Sequence, residues 1–121
     1  MRLLIVDGNL LLNWVVRRLA PASLEVENAT TLEQVAAQLR DHPPDAVLLN
    51  VRRPAGPWRE VARWCEQHRP PLPVLFHTGA YVDPADTGIR SDHRCFVTES
   101  LTAGDLDRLL RAAEQAAAAS G

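Results

Sequence analysis

The chain has 121 residues, a formal net charge of −2 and 46% hydrophobic residues. That length suits one domain with one core. No apolar run approaches the roughly 20 residues of a membrane span, and the charge balance favours neither nucleic acid nor an anionic membrane.

The N-terminal MRLLIVDGN is not expected to act as a signal peptide, because Asp7 interrupts the apolar stretch after four residues. Its LLIV at 3–6 reads as a strand buried on both faces, as do AVLL at 46–49 and VLF at 74–76. LEVE at 24–27 alternates like an edge strand, and CFV at 95–97 is a shorter fifth candidate. Helical spacing lies between them. Leu12, Val15, Val16 and Leu19 share one face, and Pro21 helps end that helix. Leu32, Val35, Ala36 and Leu39 repeat the pattern, with Thr30 and Glu33 as the expected capping box. Trp58, Val61 and Cys65 mark a third helix, with Trp58 and Trp64 expected at the core or its edge. Leu106, Leu109, Leu110 and Ala113 mark the last one. Between the fourth and fifth strands, Pro84, Gly88 and three Asp make any helix over 81–92 short or irregular.

Alternating strands and helices imply a parallel sheet covered on both faces. Five strands in a chain this short suit the flavodoxin-like (βα)5 order 2-1-3-4-5. Ligands of such sheets bind at the carboxyl ends of the strands, where the order reverses between the first and third. Asp7, Gly8, Asn50, Thr78 and the residues after Val97 are therefore the expected site.

At these positions the chain resembles the response-regulator receiver family, over about residues 1–115; residues 116–121 read as an Ala-rich tail or linker start. LLIVDGN is similar to the family's first strand, which ends in two adjacent acidic residues. Asp7 fills the first, and Gly8 stands where the family has a Mg²⁺ ligand. DAVLLNVRRP is similar to the third strand and its loop, with Asn50 at the phosphoryl-accepting Asp and Pro54 in its usual place. PVLFHTGA resembles the fourth strand, with Thr78 at the switch hydroxyl. CFVTESLTAGDL resembles the fifth strand and the entry to the last helix. Phe96 takes the switch aromatic position, Glu99 the lysine position and Ser100 that of a usual proline.

The resemblance implies a degenerate member. An amide is not a competent nucleophile toward phosphorus. Mg²⁺ is usually held by one or two carboxylates with phosphate oxygens and waters, so binding through Asp7 alone is expected to be weak or absent. Glu99 reverses the charge that would meet an incoming phosphoryl oxygen. All 13 basic residues are Arg, so no other position supplies a lysine ammonium. A locked pocket is expected, with Glu99 accepting from Asn50 or Thr78 or pairing with Arg52. Without phosphorylation, Phe96 and Thr78 are expected in one fixed state.

The expected function is a non-enzymatic, cytoplasmic signalling module without a cofactor. It acts through a protein partner (a histidine kinase, a phosphotransfer protein or an output protein), with homodimerisation as a further option. Leu10 and Trp14 lie off the core face of the first helix and form a candidate partner surface. One alternative is a sensor binding an anionic small ligand through Arg52 and Arg53, near His77 and His93. Another is the N-terminal domain of a DNA-binding regulator. Cys65 and Cys95 have no metal-ligand spacing and are expected to be buried, reduced thiols.

Overall fold

The computed structural model describes residues 1–7, 11–51, 58–78, 95–98 and 100–120. In chain order its elements are β1 (Arg2–Val6), α1 (Leu11–Leu19), β2 (Glu25–Ala29), α2 (Leu32–Asp41), β3 (Ala46–Val51), α3 (Trp58–Gln67), β4 (Val74–Thr78), β5 (Cys95–Thr98) and α4 (Ala103–Ser120). The strands form one sheet of order β2-β1-β3-β4-β5, all pairs parallel. This is the flavodoxin-like order expected from the alternation of elements.

Strand parity divides the core into two layers. Leu4, Val47, Leu49, Val74, Phe76 and Cys95 face one way and pack with Val35 of α2 and Val61, Ala62 and Cys65 of α3. Leu3, Ile5, Ala46, Leu48 and Leu75 face the other way and meet Leu12 and Val16 of α1 and Leu106, Leu109 and Ala113 of α4. Burial on both faces explains why β1, β3 and β4 read as continuous apolar runs rather than alternating ones. β2 is an edge strand whose Glu25 and Glu27 are exposed while Ala29 is buried.

Several local expectations shift. The cap of α2 is Thr31, whose hydroxyl accepts from the Gln34 N–H at 3.2 Å. Gln34 in turn accepts from the N–H of Thr30 at 2.6 Å and not from that of the cap, so the cap sits one residue later than expected and the reciprocal box does not form. Leu19 is 37% exposed, because α1 ends there, beyond the part of the helix that the sheet covers. Helix α4 runs on through 116–120. Trp64 packs at the edge of the core, whereas the side chain of Trp58 lies outside the described residues. Both cysteines are free and buried, and desolvation pushes the Cys65 thiol up to about 12. Among the described residues, no helix is long and apolar enough to cross a membrane. The expected helix over 81–92 lies outside the described residues.

Candidate functional site

Four polar residues end the strands on the α1/α4 face. Residues 7, 50, 77 and 98 continue the parity of Ile5, Leu48, Leu75 and Phe96. In register, Asn50 is opposite His77 and His77 is opposite Thr98. The apolar layer thus gives way to a polar row at the carboxyl edge of β1, β3, β4 and β5.

Asp7 is 3% exposed. Its Oδ1 accepts a hydrogen bond from the Asn50 amide at 3.0 Å, and its Oδ2 accepts from the Leu12 N–H at 3.3 Å. The second contact places a carboxylate against the first turn of α1, where unpaired N–H groups and the helix dipole favour negative charge. Asp7 thus pins α1 to the sheet while holding Asn50.

The contact with Asp7 also orients Asn50. A carboxylate only accepts, so the amide must present its NH₂ to Asp7 and its carbonyl oxygen to the other side. There Oδ1 lies 3.2 Å from Nδ1 of His77. An amide oxygen has no proton to give, so Nδ1 of His77 carries the hydrogen and donates. Among the described residues, Nε2 has no hydrogen-bond partner; in the neutral ring it carries the lone pair. Desolvation pushes the half-buried His77 imidazole below its usual value, against the upward pull of the Asp7 and Asp105 carboxylates.

A second cluster adjoins the row at β5. Thr102 caps α4: its hydroxyl accepts from the Asp105 N–H at 3.2 Å, and its own N–H donates to Asp105 Oδ2 at 2.9 Å. This is a reciprocal capping box. The Thr98 hydroxyl shares its one hydrogen between the Ser100 carbonyl at 3.0 Å and the same oxygen at 3.2 Å, and Arg108 pairs with Oδ1. Burial acts to raise the Asp105 carboxyl, but the donors from Thr102, Arg108 and Thr98 outweigh it and hold it below the ordinary carboxylate range. The Arg108 guanidinium carbon lies 5.8 Å from the centroid of the Phe96 ring, within cation–π range.

Of the residues expected at the site, Asp7 and Asn50 are in direct contact. Thr78 is opposite Val51, one step beyond the Asn50–His77 pair; its side chain lies outside the described residues. Gly8, Glu99, Arg52, Arg53, His93 and Leu10 also lie outside them. Trp14 is 66% exposed, with the Arg18 guanidinium carbon 5.3 Å from its ring centroid. His77 as the partner of Asn50, and Asp105 as the hub of the β5–α4 junction, did not follow from the sequence. The matching parity of Asn50 and His77 was the available signal, but using it requires the β3–β4 register.

Chemically, this set is poor in hard-cation donors. It offers the Asp7 carboxylate, already engaged by Asn50 and Leu12, and an amide turning its NH₂ toward that carboxylate. Among the described residues, no three of His, Cys, Asp and Glu converge as a metal site would require. The residues in view do not fit the Mg²⁺ of the receiver family.

No family model matches the sequence, and no curated protein does. Solved structures do. The non-phosphorylated HemR receiver domain from Leptospira biflexa is similar at 24% identity and a TM-score of 0.67, over 93% of each chain. A response regulator receiver domain protein from Clostridium thermocellum is similar at 17% identity and a TM-score of 0.71, over 98% of each. RcsB from Salmonella enterica serovar Typhimurium, bound to promoter rprA in the presence of the phosphomimetic BeF3⁻, is similar at 16% identity and a TM-score of 0.63. That match takes in 95% of this chain and 60% of RcsB. The strand order, the polar row at the carboxyl edge and these likenesses agree: the chain has the fold of response-regulator receiver domains.

Proposed function

We propose that this chain is a receiver-like signalling module that is not phosphorylated at the usual position and acts by protein contact. The observation that carries the reading is the 3.0 Å bond from the Asn50 amide to Asp7. Where receivers present a nucleophilic carboxylate, this chain presents an amide whose NH₂ is committed to the neighbouring acid. Phosphoryl transfer needs a nucleophilic oxygen, positioned positive charge and a metal. The amide supplies no such nucleophile. Gly8 and Glu99 change the family's metal and lysine positions in the same direction.

Two surfaces suit a partner such as a histidine kinase, a phosphotransfer protein or an output protein. One is the exposed Trp14 with Arg18 on α1. The other is Phe96 with Arg108 at the β5–α4 junction. A sensor for an anionic metabolite is less well supported, because the described part of the site is acidic, with Asp7 and Asp105 acting on His77. RcsB is bound to DNA. An attached DNA-binding domain is a separate possibility that a longer gene sequence would reveal.

The test is a two-dimensional amide NMR titration with Mg²⁺ and beryllofluoride. The reading expects flat responses at Asp7, Asn50, Thr78 and Phe96. Saturable shifts that reach Phe96 would show a pocket still competent for an anion and would sink it.

A further inference from the structure

The site contains a group able to receive an input other than phosphate. His77 is under the electrostatic pull of two carboxylates: it is linked to Asp7 through Asn50, and it is next in register to Thr98, which donates to Asp105. Asp105 holds Arg108, and Arg108 lies over Phe96. Hydrogen bonds, one step of strand register and an ion pair thus connect the strand ends to the β5–α4 surface.

We propose that His77 is a proton-operated input: protonation at Nε2 draws the Asp105 carboxylate toward the imidazolium, loosens its bonds to Thr98 and Arg108, and so releases the Phe96 surface. The proposal rests on the signalling reading above and names the regulation of that same site.

Neutral His77 donates through Nδ1 to Asn50, and its Nε2 is the position that takes the proton. β1 contributes the Asp7 carboxylate, and α4 contributes Asp105 and its partner Arg108. β3 and β5 contribute the neutral Asn50 and Thr98, and α1 brings the apolar Leu12 and Val16 to that layer. The imidazolium would therefore form under the pull of two acids. Nδ1 keeps its proton and its bond to the Asn50 carbonyl oxygen, while the Asn50 NH₂ stays on Asp7. The response is directed to the other side, toward Asp105. Burial delays the event below the usual histidine range, so the neutral state is the resting one at neutral pH.

The experiment is an NMR titration of the whole chain between about pH 7.5 and about pH 5, a window that brackets the ordinary histidine range. It follows the His77 ring carbon and the amides of Phe96, Thr98, Asp105 and Arg108. The expected result is one shared midpoint, lower than that of an ordinary histidine. His77→Gln keeps a donor for Asn50 and is expected to abolish the shared transition. Asp105→Asn is expected to leave the His77 ring titrating while Phe96 and Arg108 fall silent. Flat amides at Phe96 and Arg108 while His77 titrates, or a transition that survives His77→Gln, would overturn the proposal. Neither result depends on phosphorylation or on a partner, so failure here is separable from failure of the beryllofluoride test.

Discussion

At the scale of single residues, Asn50 and His77 define each other. The amide faces its NH₂ to Asp7, and this fixes the proton on Nδ1 of the imidazole. Asn50→Asp would place a second carboxylate beside Asp7 and hand His77 a charged acceptor. The expected outcome is a His77 midpoint above that of the natural chain, read from the ring-carbon shift against pH. The same variant is expected to remain unmodified by acetyl phosphate in intact-protein mass spectrometry, because on the proposed reading Gly8 and Glu99 replace a metal ligand and a lysine. His77 also leaves a signature in stability. Its folded-state value lies below its unfolded one, so the unfolded chain takes up the proton first. Stability is complete above the unfolded value of about 6.5 and declines as pH falls from there toward the lower folded value. His77→Gln removes that decline, which denaturant melts at neutral and mildly acidic pH would show. That Asp7 and Asn50 share a site was legible in the sequence, since both end apolar runs that the common 2-1-3-4-5 order makes neighbouring strands; that Asp7 accepts from Asn50 was not. Neither was the His77 contact. β3 and β4 are apolar on both faces, so nothing in their sequence reveals which residue of one lies beside which residue of the other.

At the scale of elements, the helix termini tie the helices to the sheet edge. Asp105 serves α4 as part of its capping box and serves β5 by accepting from Thr98. Asp105→Asn is expected to cost about 1–2 kcal/mol at neutral pH, measured by urea unfolding. Asp105 sits below its unfolded value, so its contribution is present above about pH 4 and is lost as pH falls through the lower folded value. The melting curves of the variant and the natural chain should therefore converge in acid. The α2 cap shows why boundaries are hard to read. Two threonines precede two acid-or-amide residues, and composition cannot choose between registers one residue apart; the observed pair is Thr31 with Gln34. Leu19 shows the same difficulty at the other end, because helical periodicity continues past the point where the sheet stops covering α1.

At the scale of the whole molecule, stability and recognition use different residues. Phe76 is fully buried in the layer beneath α2 and α3, and Phe76→Ala is expected to cost about 3–5 kcal/mol in chemical denaturation. Trp14 is mostly exposed, and Trp14→Ala should change stability by no more than about 0.5 kcal/mol. A loss of partner binding by that variant at unchanged melting temperature would separate a docking surface from a structural one. The fold was legible because five apolar runs alternate with helical patterns in a short chain, and few topologies satisfy that order.

The charged flank of β2 has a consequence for how copies of this chain meet. A parallel sheet with an open side is a template that a neighbouring backbone can extend, and a five-residue strand is long enough to start. Here the open side carries Glu25 and Glu27, both exposed. A second β2 laid alongside would bring glutamate against glutamate, a pairing that is unfavourable in any register placing them opposite. These two side chains thus oppose edge-to-edge pairing of two copies through β2. Replacing both with valine should leave the monomer folded and raise concentration-dependent light scattering.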